Sequence, residues 1–181
     1  MIGTEGSIWC VRDKVRFSAW VIRFFDRDKD PTFCNHVAME GYNELLEHRP
    51  KGLGHASLDK YSDTDRYAVK IYTPVGFKEH KVVSMVDCAY KYVGHWYSWL
   101  TIMCQGGDWI TNSRWFTSHL APRTTMVCSS YAALIATMNL GMAWVDVDKG
   151  NYPLDIQSIR PDDIDDQLAK DVRWLLTSQW G

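Results

Sequence analysis

Val127-Cys128-Ser129-Ser130-Tyr131-Ala132-Ala133-Leu134-Ile135, continuing through Met138 to Gly141, is the stretch on which the reading of this chain turns. Tyr131, Leu134, Ile135 and Met138 recur at i, i+3, i+4 and i+7, the spacing of a helix with one apolar stripe, and Gly141 is a natural left-handed stop. Val127 leads into Cys128-Ser129-Ser130 and then this helix, which places Cys128 at its first turn. A thiol on a first helical turn meets the positive end of the helix dipole and backbone N–H groups that have no partner within the helix. Both favour the thiolate, the nucleophilic form of cysteine. The dipole is worth only about 0.3–1 kcal/mol, so a nearby imidazolium has to supply the rest. The same N–H groups can donate to a tetrahedral oxyanion. A buried cysteine opening a core helix fits the same residues, and the decision rests on what the remainder of the chain supplies.

Working outward, Gly6-Ser7-Ile8-Trp9-Cys10-Val11 reads as a short strand, and Phe17–Phe25 as a short amphipathic helix before a charged turn at Asp26–Pro31. Phe33–Glu40 (FCNHVAME) reads as a strand ending at Gly41. Tyr42–His48 (YNELLEH) is compatible with a helical turn or a strand, and the stop at RPKGLG favours the strand. Tyr67–Tyr72 (YAVKIY) alternates and is β-branched, a strand closing at Thr73-Pro74. Lys78–Val93 reads as a helix with Val82, Val83, Val86, Ala89, Tyr90 and Val93 on one face. Residues 95–121 show no period and are expected to be irregular. Pro161 suits a first helical position, with Asp162 and Asp163 complementing the dipole and Ile164, Leu168, Val172 and Leu175 as the buried stripe. The expectation is one α+β domain over residues 1–181, strands in the first half and helices framing them.

Composition narrows the class. The chain has 181 residues, 46% of them apolar and 23% charged, enough to bury a substantial core. Its 20 basic and 22 acidic side chains leave a net charge of −2, which gives no electrostatic footprint for nucleic acid. The five cysteines, at 10, 34, 88, 104 and 128, are odd in number and include no CxxC pair, pointing to a reduced protein rather than a stapled scaffold. Met1–Arg12 holds no signal-peptide core and no apolar run approaches bilayer length, so a cytoplasmic protein is expected, or one delivered outward by another route such as a phage virion.

Six histidines are candidate bases: His36, His48, His55, His80, His95 and His119. His36 stands out because a titratable ring inside the apolar FCNHVAME segment is costly without a partner. No HExxH or comparable spacing links the histidines, so no metal site is expected and the chemistry calls for no cofactor. An imidazole base also needs a group that fixes its tautomer. Glu47 follows two leucines and is a poor choice for packing alone, and His48 is the neighbouring alternative, facing the opposite side of a regular strand. Glu40 and Glu44 read as ordinary exposed acids.

In this order the segments Gly6-Ser7-Ile8, CNHVAME, ELLEHRPKGLGHASLDKY, GHWYS and VCSSYAALI resemble the circularly permuted NlpC-type papain-like hydrolases, nearest to the YiiX/YebB-like thiol amidases. In that group a GDI-like opening strand, a histidine strand, a glutamate strand leading to a glycine and a tyrosine, a tyrosine turn and a CS helix start follow one another. The counterparts are Gly6–Ile8, His36, Glu47 with Gly52 and Tyr61, Gly94 with Tyr97, and Cys128-Ser129. The departures are Ser7, Ser98 and Ser130 where acids are common, and His48 where a small residue is usual. The resemblance covers roughly residues 6–141 and implies an antiparallel sheet packed on helices, with Cys128 as nucleophile, His36 as base, Glu47 as orienting acid and Tyr97 beside the nucleophile, donating to oxyanion or substrate. Tyr97 as a plain core tyrosine fits equally.

The implied reaction is thiol hydrolysis of an amide through a thioester, on a peptide, peptidoglycan or lipid-amide substrate. Acyl transfer through the same thioester, and a non-catalytic binding or virion module, are the alternatives. Tyr90–Phe116, with Trp96, Trp99, Trp109 and Trp115, is expected to form either a cleft wall or a satellite core under a loop.

Overall fold

The computed structural model describes residues 4–15, 33–49, 51–111, 113–122, 125–146 and 150–181, except the side chain of Trp109. The helix expected over Phe17–Phe25 and the charged turn at Asp26–Pro31 lie outside the described residues. Eight strands are seen among them: β1 (Ile8–Asp13), β2 (His36–Glu40), β3 (Leu45–Arg49), β4 (Gly52–Ala56), β5 (Tyr67–Pro74), β6 (Val145–Asp146), β7 (Tyr152–Pro153) and β8 (Trp174–Trp180). The helices are α1 (Glu79–Tyr90), α2 (Trp99–Ile110), α3 (Trp115–Leu120), α4 (Cys128–Leu140) and α5 (Pro161–Lys170), with a 3-10 turn at Leu58–Tyr61.

Six strands form one antiparallel sheet in the order β4-β3-β2-β1-β5-β8, and β6 pairs with β7 apart from it. Central β1 is covered on both faces, which is why IWCV reads as a continuous apolar run. Ile8 and Cys10 join Val37, Met39, Leu46, Met85, Tyr131 and Ile135 on the face packed by α1 and α4. Trp9 and Val11 join Ala38, Leu45, Tyr61, Val69 and Ile71 on the other. These two clusters put successive residues of β2 and β3 into different surroundings, and that alternation decides which side chains meet at the site.

α4 is buried nearly all round, through Cys128–Ala133, Ile135, Ala136 and Leu140. Its alanines let it sit close to α1 and the sheet, while Met138 of the expected stripe is 59% exposed. Gly141 ends the helix at φ 68°, donating its N–H to Thr137 O. The expected one-faced helix is thus an almost enclosed one.

Several elements differ from the sequence expectation. β2 begins at His36, not Phe33, and β3 runs from Leu45 rather than Tyr42. The buried face of α1 is Met85, Val86 and Ala89, with Val83 exposed. Residues 95–121 are not irregular but carry α2 and α3, despite Gly106-Gly107 and several aromatic or β-branched residues that weaken helix propensity. Side-chain hydrogen bonds at the helix starts compensate: Ser98 Oγ accepts from Thr101 N at 3.1 Å, and the buried Asp108 carboxylate accepts from Phe116 N and Thr117 N at 2.6 and 2.9 Å. A Cβ on Gly107 would sit 3.2 Å from the Phe116 ring, so the glycine permits that close approach. The stripe ascribed to the C-terminal helix is also divided. Ile164 and Leu168 are buried, but α5 stops at Lys170, Val172 is 92% exposed, and Leu175 lies in β8, paired with Thr73. Strands therefore close the chain as well as open it.

Among the described residues no helix is long and apolar enough to cross a membrane.

Candidate active site

Val127 is extended and immediately precedes α4, while Met126 bridges Tyr97 and accepts the Ser98 N–H at 2.9 Å. That bridge anchors the approach to the helix, and Ser129 Oγ donating to Ile159 O at 2.6 Å anchors its first turn from the other side. Cys128 is consequently held, buried, at the N-terminus of α4.

β2 and β3 bring the next two groups. Glu47 lies opposite Ala38 in the ladder, and His36 is two residues from Ala38 on the same strand face, so the two side chains are diagonal neighbours. His36 Nε2 donates to Glu47 Oε2 at 2.9 Å, leaving Nδ1 for the sulfur. The His36 side chain is 22% exposed and that of Glu47 only 1%.

The electrostatics of the thiol and the ring run in opposite directions. Burial by itself pushes the Cys128 thiol up, but the His36 charge and hydrogen bond, with backbone hydrogen bonds from Val37 and Ser129, outweigh it and bring the thiol below its ordinary value. Burial alone would lower His36; the Cys128 negative charge and hydrogen bond, then Glu47, push it up to about 9. Each charge favours the other, so the arrangement favours a thiolate beside an imidazolium.

Glu47 is the most heavily solicited group of the site. Lys60 Nζ donates to both carboxylate oxygens at 2.6 and 2.7 Å, Tyr61 Oη donates to Oε2 at 2.6 Å, and the Arg49 guanidinium donates to Oε1. Burial would raise its carboxyl, but the hydrogen bonds from His36, Arg49 and Lys60 hold it well below the usual carboxylate range. Arg49 had a sequence signal, being two residues from Glu47 on the same strand face. Lys60 had none, because the 3-10 turn that delivers it follows a strand and a loop.

His48, the alternative to Glu47, occupies the opposite face of β3. Its ring lies 5.4 Å from that of Tyr97 and 6.0 Å from that of Tyr131, the residue is 2% exposed, and neither nitrogen has a hydrogen-bond partner among the described residues. Burial first, then the His95 and His36 charges, push it down to about 4. It is a neutral packing ring, and Glu47 is the one that meets His36. Tyr97 lies between this ring and Trp99, and its hydroxyl is pushed up by burial and by the negative charge of Cys128, which places it in the field of the thiolate.

The other acids depart from their sequence reading. Glu40 is buried, accepting from Trp9 Nε1 at 2.9 Å, and burial raises its carboxyl. Glu44 accepts from His55 Nδ1 at 2.9 Å and Tyr90 Oη at 2.8 Å. All five cysteines are free thiols. Burial raises Cys10, Cys34 and Cys104, the reverse of Cys128. Among the described residues no three His, Cys, Asp or Glu side chains converge as a metal site.

No protein-family model matches this chain. No curated protein matches the sequence either.

Proposed function

We propose that this protein is a cysteine hydrolase of amide bonds with a circularly permuted papain-like arrangement, using Cys128, His36 and Glu47. The observation that carries the reading is the polarised chain from buried Glu47 through His36 to a thiol lowered at a helix N-terminus. The order His36, Glu47, Cys128 along the chain, with five of the six sheet strands, β1–β5, preceding the nucleophile helix, supports the permuted arrangement.

In the reaction the Cys128 thiolate attacks the amide carbonyl carbon, forming a C–S bond as the carbonyl π electrons move onto oxygen. The helix N-terminal N–H groups, with the Tyr97 hydroxyl nearby, are suited to stabilise that oxyanion. Collapse breaks the C–N bond, and the His36 imidazolium gives its proton to the departing nitrogen. Water then attacks the thioester, His36 takes its proton, and the acid leaves as Cys128 returns to thiolate. Glu47 keeps Nε2–H pointed away from the sulfur throughout.

Peptide and peptidoglycan amides are the first substrates to test. A lipid amide or ester, with acyl transfer as the outcome, is favoured by the exposure of Trp96 (77%), Trp99, Leu100 and Met103 beside Tyr97. The deciding experiment incubates wild type and Cys128→Ala with purified peptidoglycan and a panel of lipid amides and identifies products by mass spectrometry. Products made by wild type alone support the reading, and equal product from the alanine variant overturns it.

A further inference from the structure

We infer that Lys60 is a positioning residue that sets the protonation range of His36 by competing with it for the Glu47 carboxylate. The inference rests on the Cys128–His36–Glu47 reading above and concerns how that site is tuned.

Lys60 Nζ donates to Oε2 of Glu47 at 2.7 Å, and His36 Nε2 donates to the same oxygen at 2.9 Å. The ammonium and the imidazolium therefore lie within two hydrogen-bond lengths of each other, sharing one acceptor. Lys60 is itself held: its ammonium also donates to Tyr61 Oη at 2.9 Å and sits 4.5 Å from the Tyr61 ring centre, while Tyr61 Oη donates to Oε2. A carboxylate facing only a histidine would put its whole negative charge behind the imidazolium. Here one buried carboxylate answers two permanent cations, Lys60 and Arg49, before the histidine is counted.

The charged and titratable groups around His36 include Cys128 from α4, Glu47 and Arg49 from β3, Lys60 and Tyr61 from the 3-10 turn, His48 from the far face of β3, and Cys34, whose thiol donates to His36 O at 3.0 Å and is pushed up by burial. Cys128 and Glu47 favour the protonated ring. Lys60 and Arg49 oppose it, and Tyr61, whose phenol burial and Glu47 hold neutral, contributes a hydrogen bond but no charge. Lys60 donates to both carboxylate oxygens of Glu47, including the one His36 uses, so it is the cation whose removal changes this balance most directly. Without its charge Glu47 acts more fully on His36, and the imidazolium persists to higher pH. The orienting hydrogen bond from Nε2 is unchanged.

The test is a titration of the His36 ring by NMR in protein carrying 15N-labelled histidine, alongside the pH dependence of Cys128 alkylation by iodoacetamide, neither of which needs the substrate. Lys60→Gln keeps a donor and removes the charge; Lys60→Met serves if that variant does not fold. The expected result is a His36 midpoint about one pH unit above wild type, as for loss of a like charge within about 4–6 Å, with Lys60→Arg returning it to within a few tenths. An unmoved or lowered midpoint in the neutral variant overturns the inference. Its failure is distinct from failure of the functional reading. In that case wild-type His36 titrates near 6.5 and is indifferent to Cys128→Ala, whatever Lys60 does.

Discussion

Two buried carboxylates on opposite faces of the sheet are held by the same set of groups. Asp165 of α5 accepts from Lys70 Nζ and Tyr72 Oη, each at 2.7 Å, beneath the face packed by the helices. Glu47 accepts from Lys60 Nζ and Tyr61 Oη on the other face. A lysine, a tyrosine and an acid make a satisfied way to bury one charge, and by themselves they say nothing about catalysis. Glu47 accepts from Arg49 as well, but what separates the sites is a histidine. Glu47 also accepts from His36, and His36 meets a thiol at a helix N-terminus; Asp165, held by Lys70 and Tyr72, lies near Cys10 and Cys34, whose thiols burial drives up. The comparison teaches that a perturbed carboxylate becomes chemical through the base and nucleophile attached to it.

That contrast can be broken most decisively at the nucleophile. Cys128→Ala is expected to lose turnover on the order of 10⁶-fold in kcat with an unchanged circular dichroism spectrum, while Cys34→Ala retains activity. Product formation by Cys128→Ala, measured by mass spectrometry, would remove the distinction between the two thiols.

The carboxylates come next. Glu47→Gln is expected to cut kcat by roughly 10²–10⁴, because an amide can present the wrong group to Nε2 and leaves Lys60 and Arg49 without their counter-charge. Asp165→Ala is expected to cost about 3–5 kcal/mol of stability, the usual penalty for stripping one partner from a buried pair, read by urea unfolding. Its iodoacetamide rate at Cys128 should match wild type under native conditions. If the two variants behaved alike in both measurements, the sites would be equivalent and the comparison void.

A smaller effect follows from pH. The folded-state pKa of His36 is raised from 6.5 to about 9, so the stability its ion pair contributes is complete below 6.5 and is lost as pH rises through about 9. Turnover needs the imidazolium to protonate the leaving nitrogen and is expected to fall about tenfold per unit above that value. A rate that holds level to pH 11 would contradict the assignment. Smallest of all, Lys70→Gln is expected to leave the His36 midpoint unmoved, in contrast to Lys60→Gln, as measured in the same NMR titration.

The site was legible in proportion to how local its signals are. Cys128 before an apolar helix, His36 in a strand too apolar for it, and Glu47 after Leu45-Leu46 each stand out from their immediate neighbours. Glu40 was misread because its partner, Trp9, lies 31 positions away across the sheet. Residues 95–121 were misread for a related reason: Asp108, which accepts from the first turn of α3, precedes it by an intervening loop that carries no periodic signal. β8 was hidden because its buried end, Trp174, is followed by exposed Leu175 and Leu176, a pattern that alternation does not describe until the strand is set against β5.

The sequence by itself determined that Cys128 opens onto an apolar helix that stops at Gly141, that Gly6–Val11 is a strand, and the alternation that separates Glu47 from His48. These follow from backbone periodicity, capping and side-chain size within a dozen residues. Only the tertiary structure decided which of those two residues meets His36, and that Lys60, Tyr61 and Arg49 crowd the same carboxylate. Such choices depend on the register of β3 against β2 and on the path of the 3-10 turn. Both are set by burying apolar side chains on two faces at once, a condition no single stretch of the chain can express.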